Sequence, residues 1–366
     1  MKILLGLSGG VDSTYAALKL KNEGHEVTGA VLHMHGYSPM SDAAVAAGSV
    51  GIPLVEINCE EAFCRIVVEN FIDEYLKART PNPCVICNSE VKFRELYTYA
   101  MNEGFDAIAT GHYAKIFAID KSGRRFLNTI DFVNERIQNG DFSEYRYAVS
   151  YGEDMKKDQS YMLWRLPQTV LSRLVFPLSD STKSEVKERS LEANLAAAHS
   201  RESQEICFIP DGDYASFIEN ARGKCQEGDF VAEDGRVLGR HKGLIRYTVG
   251  QRRGLGISAA SRIFVTSINL ADNTVTLSDA PRTSIEVVSS GIVYSGMEPT
   301  RQKTELRLSV KLRYAAPRVP ATVTFFDGGM AKINLDAPMA SVTAGQSVVF
   351  YDGDIVVAGG FIDSAN

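Results

Sequence analysis

Ile3-Leu4-Leu5-Gly6-Leu7-Ser8-Gly9-Gly10-Val11-Asp12-Ser13 is the stretch on which the reading of this 366-residue chain turns. The apolar run at 3–5 predicts a buried strand, and Thr14-Tyr15-Ala16-Ala17-Leu18-Lys19-Leu20 predicts a helix. A strand that turns through glycines into a helix leaves bare backbone N–H groups at the helix N-terminus. The helix dipole adds partial positive charge there, and such an end binds phosphate. Gly9 and Gly10 let the backbone approach an anion with no Cβ in the way, and Ser8 and Ser13 add hydroxyl donors. No Lys follows the glycines, so the turn is not a Walker loop. G-x-G-x-x-G is absent, so it is not a dinucleotide fingerprint either.

Outward from this turn, strands are expected at 27–32, 53–57 and 105–110, and helices at 41–48, 60–77 and 88–101. Strands alternating with helices predict an α/β domain, a parallel sheet covered on both faces with ligands at the carboxyl ends of its strands. The glycine turn and Gly111-His112 then open on one crevice. Residues 118–153 are polar and read as a hairpin or loop excursion outside the core. Lys156-Lys157-Asp158-Gln159-Ser160-Tyr161 leads into a helix, and 183–193 is helical with Ser181 or Thr182 as N-cap.

The character changes after Cys207. Residues 223–262 carry eight Lys or Arg against four acids, with glycine turns at Asp234-Gly235 and Gly254-Leu255-Gly256, and read as a small basic β-rich module. Farther on, Leu306, Leu308, Val310 and Leu312 alternate with Glu305, Arg307, Ser309, Lys311 and Arg313. This is the period of a half-buried strand with a mainly cationic outer face. Turns at Asp327-Gly328-Gly329 and Asp352-Gly353 separate further strands of a small β-barrel.

A net charge of −6 argues against a protein that coats nucleic acid by bulk charge. No apolar run is long enough to cross a bilayer, and the apolar N-terminal run is too short for a signal peptide, so a cytoplasmic location is expected. Six cysteines in a chain of this length do not form a disulfide scaffold. Cys59, Cys64 and Cys225 read as small buried or half-buried residues. In Thr80-Pro81-Asn82-Pro83-Cys84-Val85-Ile86-Cys87-Asn88, Cys87 lies just ahead of an expected helix, a position that lowers a thiol's pKa. The C-x-x-C spacing alone suits a redox pair, half a zinc site or part of an iron–sulfur site. Cys207, between Ile206 and Phe208, reads by itself as a buried, inert thiol.

The motif SGGVDS resembles the PP-loop of the ATP pyrophosphatases. Together with TPNPCVICN, ATGHYA, KDQSYML, SQEICFI, GLIRYTVGQRRGLGI and TAGQSVVFY, it stands in the order found in bacterial tRNA-specific 2-thiouridylases. The resemblance spans nearly the whole chain. It implies a PP-loop domain at 1–205, a small basic central domain at 206–285 and a C-terminal β-barrel at 286–366. It also implies ATP-dependent replacement of the C2 oxygen of the wobble uridine of tRNA by sulfur.

In that resemblance Gly6, Leu7, Ser8, Gly9, Gly10, Val11, Asp12 and Ser13 bind ATP, with Leu32 and Gly111 lining the nucleotide site and Asp12 positioning Mg²⁺. Cys87 is the nucleophile and Cys207 the persulfide carrier. Cys84, Val85 and Ile86 lie against the target base, with His112 close to the tRNA. Lys157, Asp158 and Gln159, and on the barrel Arg313, Tyr314 and Gln346, match tRNA contacts. The implied partners are tRNA and a persulfide-donating relay protein or cysteine desulfurase. Many family members carry Asp where this chain has Cys84. Cys84, Cys87 and Cys207 together match an iron–sulfur arrangement of related thiolating enzymes, a second expectation. Another PP-loop enzyme adenylating a small molecule would need neither basic module nor barrel. A non-catalytic RNA-binding protein would need neither SGGVDS nor the two cysteines.

Overall fold

A computed structural model describes residues 1–199, 206–257 and 262–366. Ser203-Gln204-Glu205 of the SQEICFI motif, the boundary expected at residue 205, and 258–261 of the basic segment lie outside the described residues. The first region contributes β1 (Lys2–Gly6), β2 (Glu26–His33), β3 (Leu54–Asn58), β4 (Ala107–Thr110), β5 (Ala114–Asp120), β6 (Arg125–Leu127), β7 (Tyr145–Tyr151) and β8 (Leu174–Val175). The second contributes β9 (Gly228–Ala232), β10 (Val237–His241), β11 (Phe264–Asn269) and β12 (Thr274–Ser278). The third contributes β13 (Thr283–Tyr294), β14 (Thr304–Lys311), β15 (Val319–Phe326), β16 (Met330–Ala340), β17 (Ser347–Asp352) and β18 (Ile355–Ala365).

The first sheet has the order β3-β2-β1-β4-β8, and every neighbouring pair is parallel. Its strands are almost continuously apolar because both faces are covered, and Ile3, Leu4 and Leu5 are fully buried. The strand order reverses at β1, with β2 on one side and β4 on the other. That reversal opens a crevice at the carboxyl ends of β1 and β4. Helix α1 (Val11–Asn22) starts directly from the turn after β1, and α2 (Met40–Val50) follows β2.

Two longer helices each contain a π-turn. One comprises Glu60–Phe63, the π-turn Cys64–Val68 and Glu69–Leu76. The other comprises Pro83–Cys87, the π-turn Asn88–Lys92 and Phe93–Asn102. The second corrects the expected start at residue 88. Pro83 takes the first helical turn, where its missing N–H costs nothing, so the helix begins ahead of both cysteines.

The stretch 118–153 is corrected in part. It does form a hairpin, but the strands of that hairpin are core rather than an excursion. β5 and β7 form an antiparallel pair, with Ile116 opposite Val149 and Ala118 opposite Tyr147, and all four are buried. Between them on the other face, Phe117 and Ala148 pack against the barrel core, and the charges that make the stretch look polar lie mostly at 120–146. β7 meets β18 at Ser150–Ile355, so the hairpin continues the barrel sheet. Arg146–Glu298 and Arg125–Asp354 ion pairs flank the join. Trp164, fully buried, packs on Phe361 of β18 with ring centroids 5.4 Å apart.

The central sheet has the order β10-β9-β12-β11 around Phe230, Val265, Val275 and Leu277. The third region closes as β13-β16-β15-β14-β17-β18, with β18 pairing back to β13. Leu308, Val310 and Leu312 face its core, as their alternation requires. The outer face is less cationic than expected. Arg307 is held by Asp336 at 2.6 Å, and Lys311 is half-buried beside Tyr161 and Tyr314.

Candidate active site

The crevice at the β1/β4 reversal is lined by Gly6, Leu7, Ser8, Asp12 and Ser13 on one side and by Thr110, Gly111 and His112 on the other. Leu32 and Met34 close it from the end of β2. The turn is shaped by its own hydroxyls. Ser8 N donates to Ser13 Oγ at 3.2 Å, and Ser13 Oγ donates to the Gly10 carbonyl at 3.1 Å. Gly10 caps α1 with no side-chain acceptor, so the first N–H groups of the helix are not covered by a capping side chain.

Two glycines are sterically required. Gly9 has φ +77°, and a Cβ there would lie 2.5 Å from the backbone of Asp42 at the start of α2. A Cβ on Gly111 would lie 2.7 Å from Ser13 N, because the end of β4 passes against the first turn of α1.

Asp12 is held tightly. Lys183 Nζ lies 2.7 Å from each carboxylate oxygen, and the Tyr113 hydroxyl donates to Oδ1 at 2.7 Å. Lys183 opens the helix Lys183–Glu192, which is fixed by a capping box between Thr182 and Glu185. His112 Nδ1 lies 2.8 Å from Thr110 Oγ1. Burial, with Lys92 nearby, pushes its pKa down to about 3, so the imidazole is neutral.

The thiols lie beside this crevice, next to its lining residue Met34. Cys84 is exposed on the first turn of the helix that begins at Pro83, and Cys87 is buried one turn later, its Sγ 3.8 Å from Met34 Sδ. Cys207 is exposed on a turn closed by an Ile209 N–H to Ile206 C=O bond. The next residue, Phe208, anchors that turn among Phe63, Phe71 and Phe217. Cys84, Cys87 and Cys207 are near enough that charge on one raises the pKa of another.

Two thiol expectations are corrected. Cys207 is not a buried thiol. Cys87 is not activated by a helix N-terminus: it sits inside the helix, and burial pushes its thiol up to about 11. Among the described residues no group of three His, Cys, Asp or Glu side chains is arranged to hold a metal ion. The three cysteines therefore do not fit an iron–sulfur cluster as they are placed.

The loop ahead of these cysteines is held from outside its own domain. Thr80 N donates to Ala344 O at 2.9 Å, and Arg79 Nη2 donates to Ile362 O at 3.0 Å. Gln346 Nε2 donates to Thr80 O at 2.9 Å, and Thr80 Oγ1 meets Thr248 Oγ1 at 3.3 Å. Gln346, expected as a tRNA contact, thus clamps the thiol-bearing loop. Val85, expected against the base, is fully buried and supports the helix from behind, whereas Ile86 is only partly covered.

Gln159 latches onto Tyr113, accepting from its N–H at 2.8 Å, and also borders the crevice. Asp158 accepts from Ser160 N at 2.9 Å and lies 4.0 Å from Lys311. Arg313 and Tyr314 are exposed beside this segment, with Tyr314 next to Tyr161. Sequence reasoning missed Tyr113, Lys183 and Lys92, which no spacing singles out. Only the capping pattern before Lys183 was visible.

Three family profiles tile the chain: "tRNA methyl transferase HUP domain" at 1–211, "tRNA methyl transferase PRC-barrel domain" at 215–279 and "Aminomethyltransferase beta-barrel domain" at 289–362. A protein of Geobacter metallireducens named tRNA-specific 2-thiouridylase MnmA is 41% identical, over 100% of this chain and 97% of its own length. One of the same name from Clostridioides difficile is 37% identical, over 100% of this chain and 98% of its own. The chain belongs to the tRNA-specific 2-thiouridylase family. Within that family the phosphate turn makes ATP the nucleotide of the crevice. Among the described residues no helix is long and apolar enough to cross a membrane.

Proposed function

We propose that this chain is a tRNA-uridine 2-sulfurtransferase that adenylates C2 of the wobble uridine and then replaces its oxygen with sulfur. The observation that carries this reading is convergence. One helix bears Cys84 and Cys87 and, through Lys92, borders the crevice that contains the phosphate turn. Cys207, 120 positions beyond Cys87 in sequence, faces the same thiols.

A uracil C2 oxygen is a poor leaving group. Attack of that oxygen on the α-phosphate of ATP releases pyrophosphate, the N3 proton leaves with it, and the oxygen becomes part of AMP, a good leaving group. Asp12 would hold Mg²⁺, which supplies charge neutralisation at the phosphates. The terminal sulfur of a Cys207 persulfide then bonds to C2 as AMP departs. Cys87 attacks Cys207 Sγ, the S–S bond to the transferred sulfur breaks with its electron pair going to that sulfur, and N3 regains a proton. A Cys87–Cys207 disulfide remains and must be reduced by an external thiol. The base must leave its stack to reach these groups.

Cys84, Ile86, His112, Lys157, Asp158, Arg313 and Tyr314 form the surface offered to the tRNA in this reading. The persulfide comes from a relay protein or a cysteine desulfurase, in the cytoplasm. Cys207→Ser tests the proposal. Mass spectrometry of tRNA nucleosides should show 2-thiouridine abolished while tRNA binding persists. Thiolation at the wild-type rate would sink the assignment.

A further inference from the structure

Lys92 occupies the last position of the π-turn Asn88–Lys92, directly after Cys87, and its side chain borders the crevice opposite the phosphate turn. A π-turn shifts the register of the residues after it, and such turns recur at functional sites. Here it sets the Lys92 side chain in the lining of the crevice that holds the phosphate turn, in the helical turn that follows Cys87.

Among the described residues, the other ionisable groups lining the crevice are accounted for. Asp12 is paired with Lys183, and His112 is neutral. The acids on the same helix are engaged elsewhere. Glu90 is held by Arg165 at 2.7 Å and by Arg94 at 3.7 Å, and Glu95 borders the neighbouring cavity with Cys59. Among the described residues no ion pair includes Lys92. A half-buried ammonium without a carboxylate is costly unless an anion completes it. Two anions arise in this crevice during the reaction, a phosphate and a thiolate.

We propose that Lys92 is a catalytic residue whose ammonium pairs with the α-phosphate oxygens during adenylation and with the Cys87 sulfur as that sulfur becomes a thiolate. The proposal rests on the sulfurtransferase reading and adds a group to it. The surroundings support it. Lys92 is the cation that acts to lower the pKa of Cys84, Cys87 and Cys207 against the burial that raises them. Electrostatic groups placed where charge develops contribute most when they need no rearrangement, and the helix holds Lys92 in place beforehand.

The test uses Lys92→Met and Lys92→Arg in the full chain, each with its melting temperature checked against the wild type. In single-turnover reactions with ATP, tRNA and persulfidated protein, Lys92→Met should slow pyrophosphate release on the order of a hundredfold. Lys92→Arg should recover most of that loss, and tRNA affinity should stay within about twofold of wild type. Without tRNA, alkylation of Cys87 by iodoacetamide at fixed pH, read by peptide mass spectrometry, should fall on the order of tenfold in Lys92→Met. Unchanged pyrophosphate release and alkylation, or a loss confined to tRNA affinity, would overturn the proposal. A wild-type protein that releases no pyrophosphate with tRNA would instead overturn the sulfurtransferase reading, while the alkylation arm still reports on Lys92.

Discussion

The phosphate turn lines the crevice and the thiol loop lies beside it, and the two are built in opposite ways. The turn is nearly self-contained. Its strand, glycines, hydroxyl bonds and helix all fall within residues 2–22, and its fit depends on close backbone approach at Gly9 and Gly111. The loop from Arg79 to Cys87 draws its position from Thr248 of the central region and from Ala344, Gln346 and Ile362 of the barrel. A nucleotide site made locally can be shared by many enzymes of this fold. A thiol site braced by the barrel ties reactivity to the regions expected to meet the tRNA.

The largest effect should come from breaking the local half. Gly9→Ala puts a Cβ into the backbone of Asp42 at a left-handed position, and a displacement of about 1 Å in a reacting group costs on the order of a hundredfold. Pyrophosphate release should fall by at least that much. Near-wild-type release would show that the turn tolerates movement.

The braced half should respond more mildly and differently. Gln346→Ala removes the donor to Thr80 O, a bond contributing about 1 kcal/mol, so turnover should drop about fivefold with tRNA affinity nearly unchanged. An effect seen only in affinity would make Gln346 a tRNA contact rather than a brace.

A pH effect concerns His112, which lines the crevice. Its folded pKa is pushed down to about 3, while the unfolded chain takes up a proton near 6.5. The stability it contributes is therefore complete above 6.5 and is lost as pH falls toward 3. Between about pH 6.5 and 4 the melting temperature should fall more steeply for the wild type than for His112→Asn. Parallel slopes would show that His112 is protonated in the folded protein.

Much of the first sheet was legible because its strands are continuous apolar runs and its helices have amphipathic spacing. The Pro83 start was also written in the chain, in Asn82-Pro83, but the helix start expected at Asn88 obscured it. The β5–β7 hairpin was hidden by the charged segment between its strands, and its partner strand β18 lies some 200 positions away. The pKa of Cys87 was misjudged for a related reason. Position relative to a helix end can be read locally, but burial cannot.

By itself the sequence determined the phosphate turn, the parallel sheet behind it, the alternating barrel strand and the family motifs. Each of these rests on neighbouring residues and on backbone geometry a few positions long. Only the tertiary structure decided that Gln346 reaches Thr80 across 266 positions, that Cys207 joins Cys84 and Cys87, and that Lys92, in no ion pair among the described residues, lines the crevice beside them. Such contacts depend on how separate regions pack, and packing brings together residues whose spacing along the chain carries no sign of it.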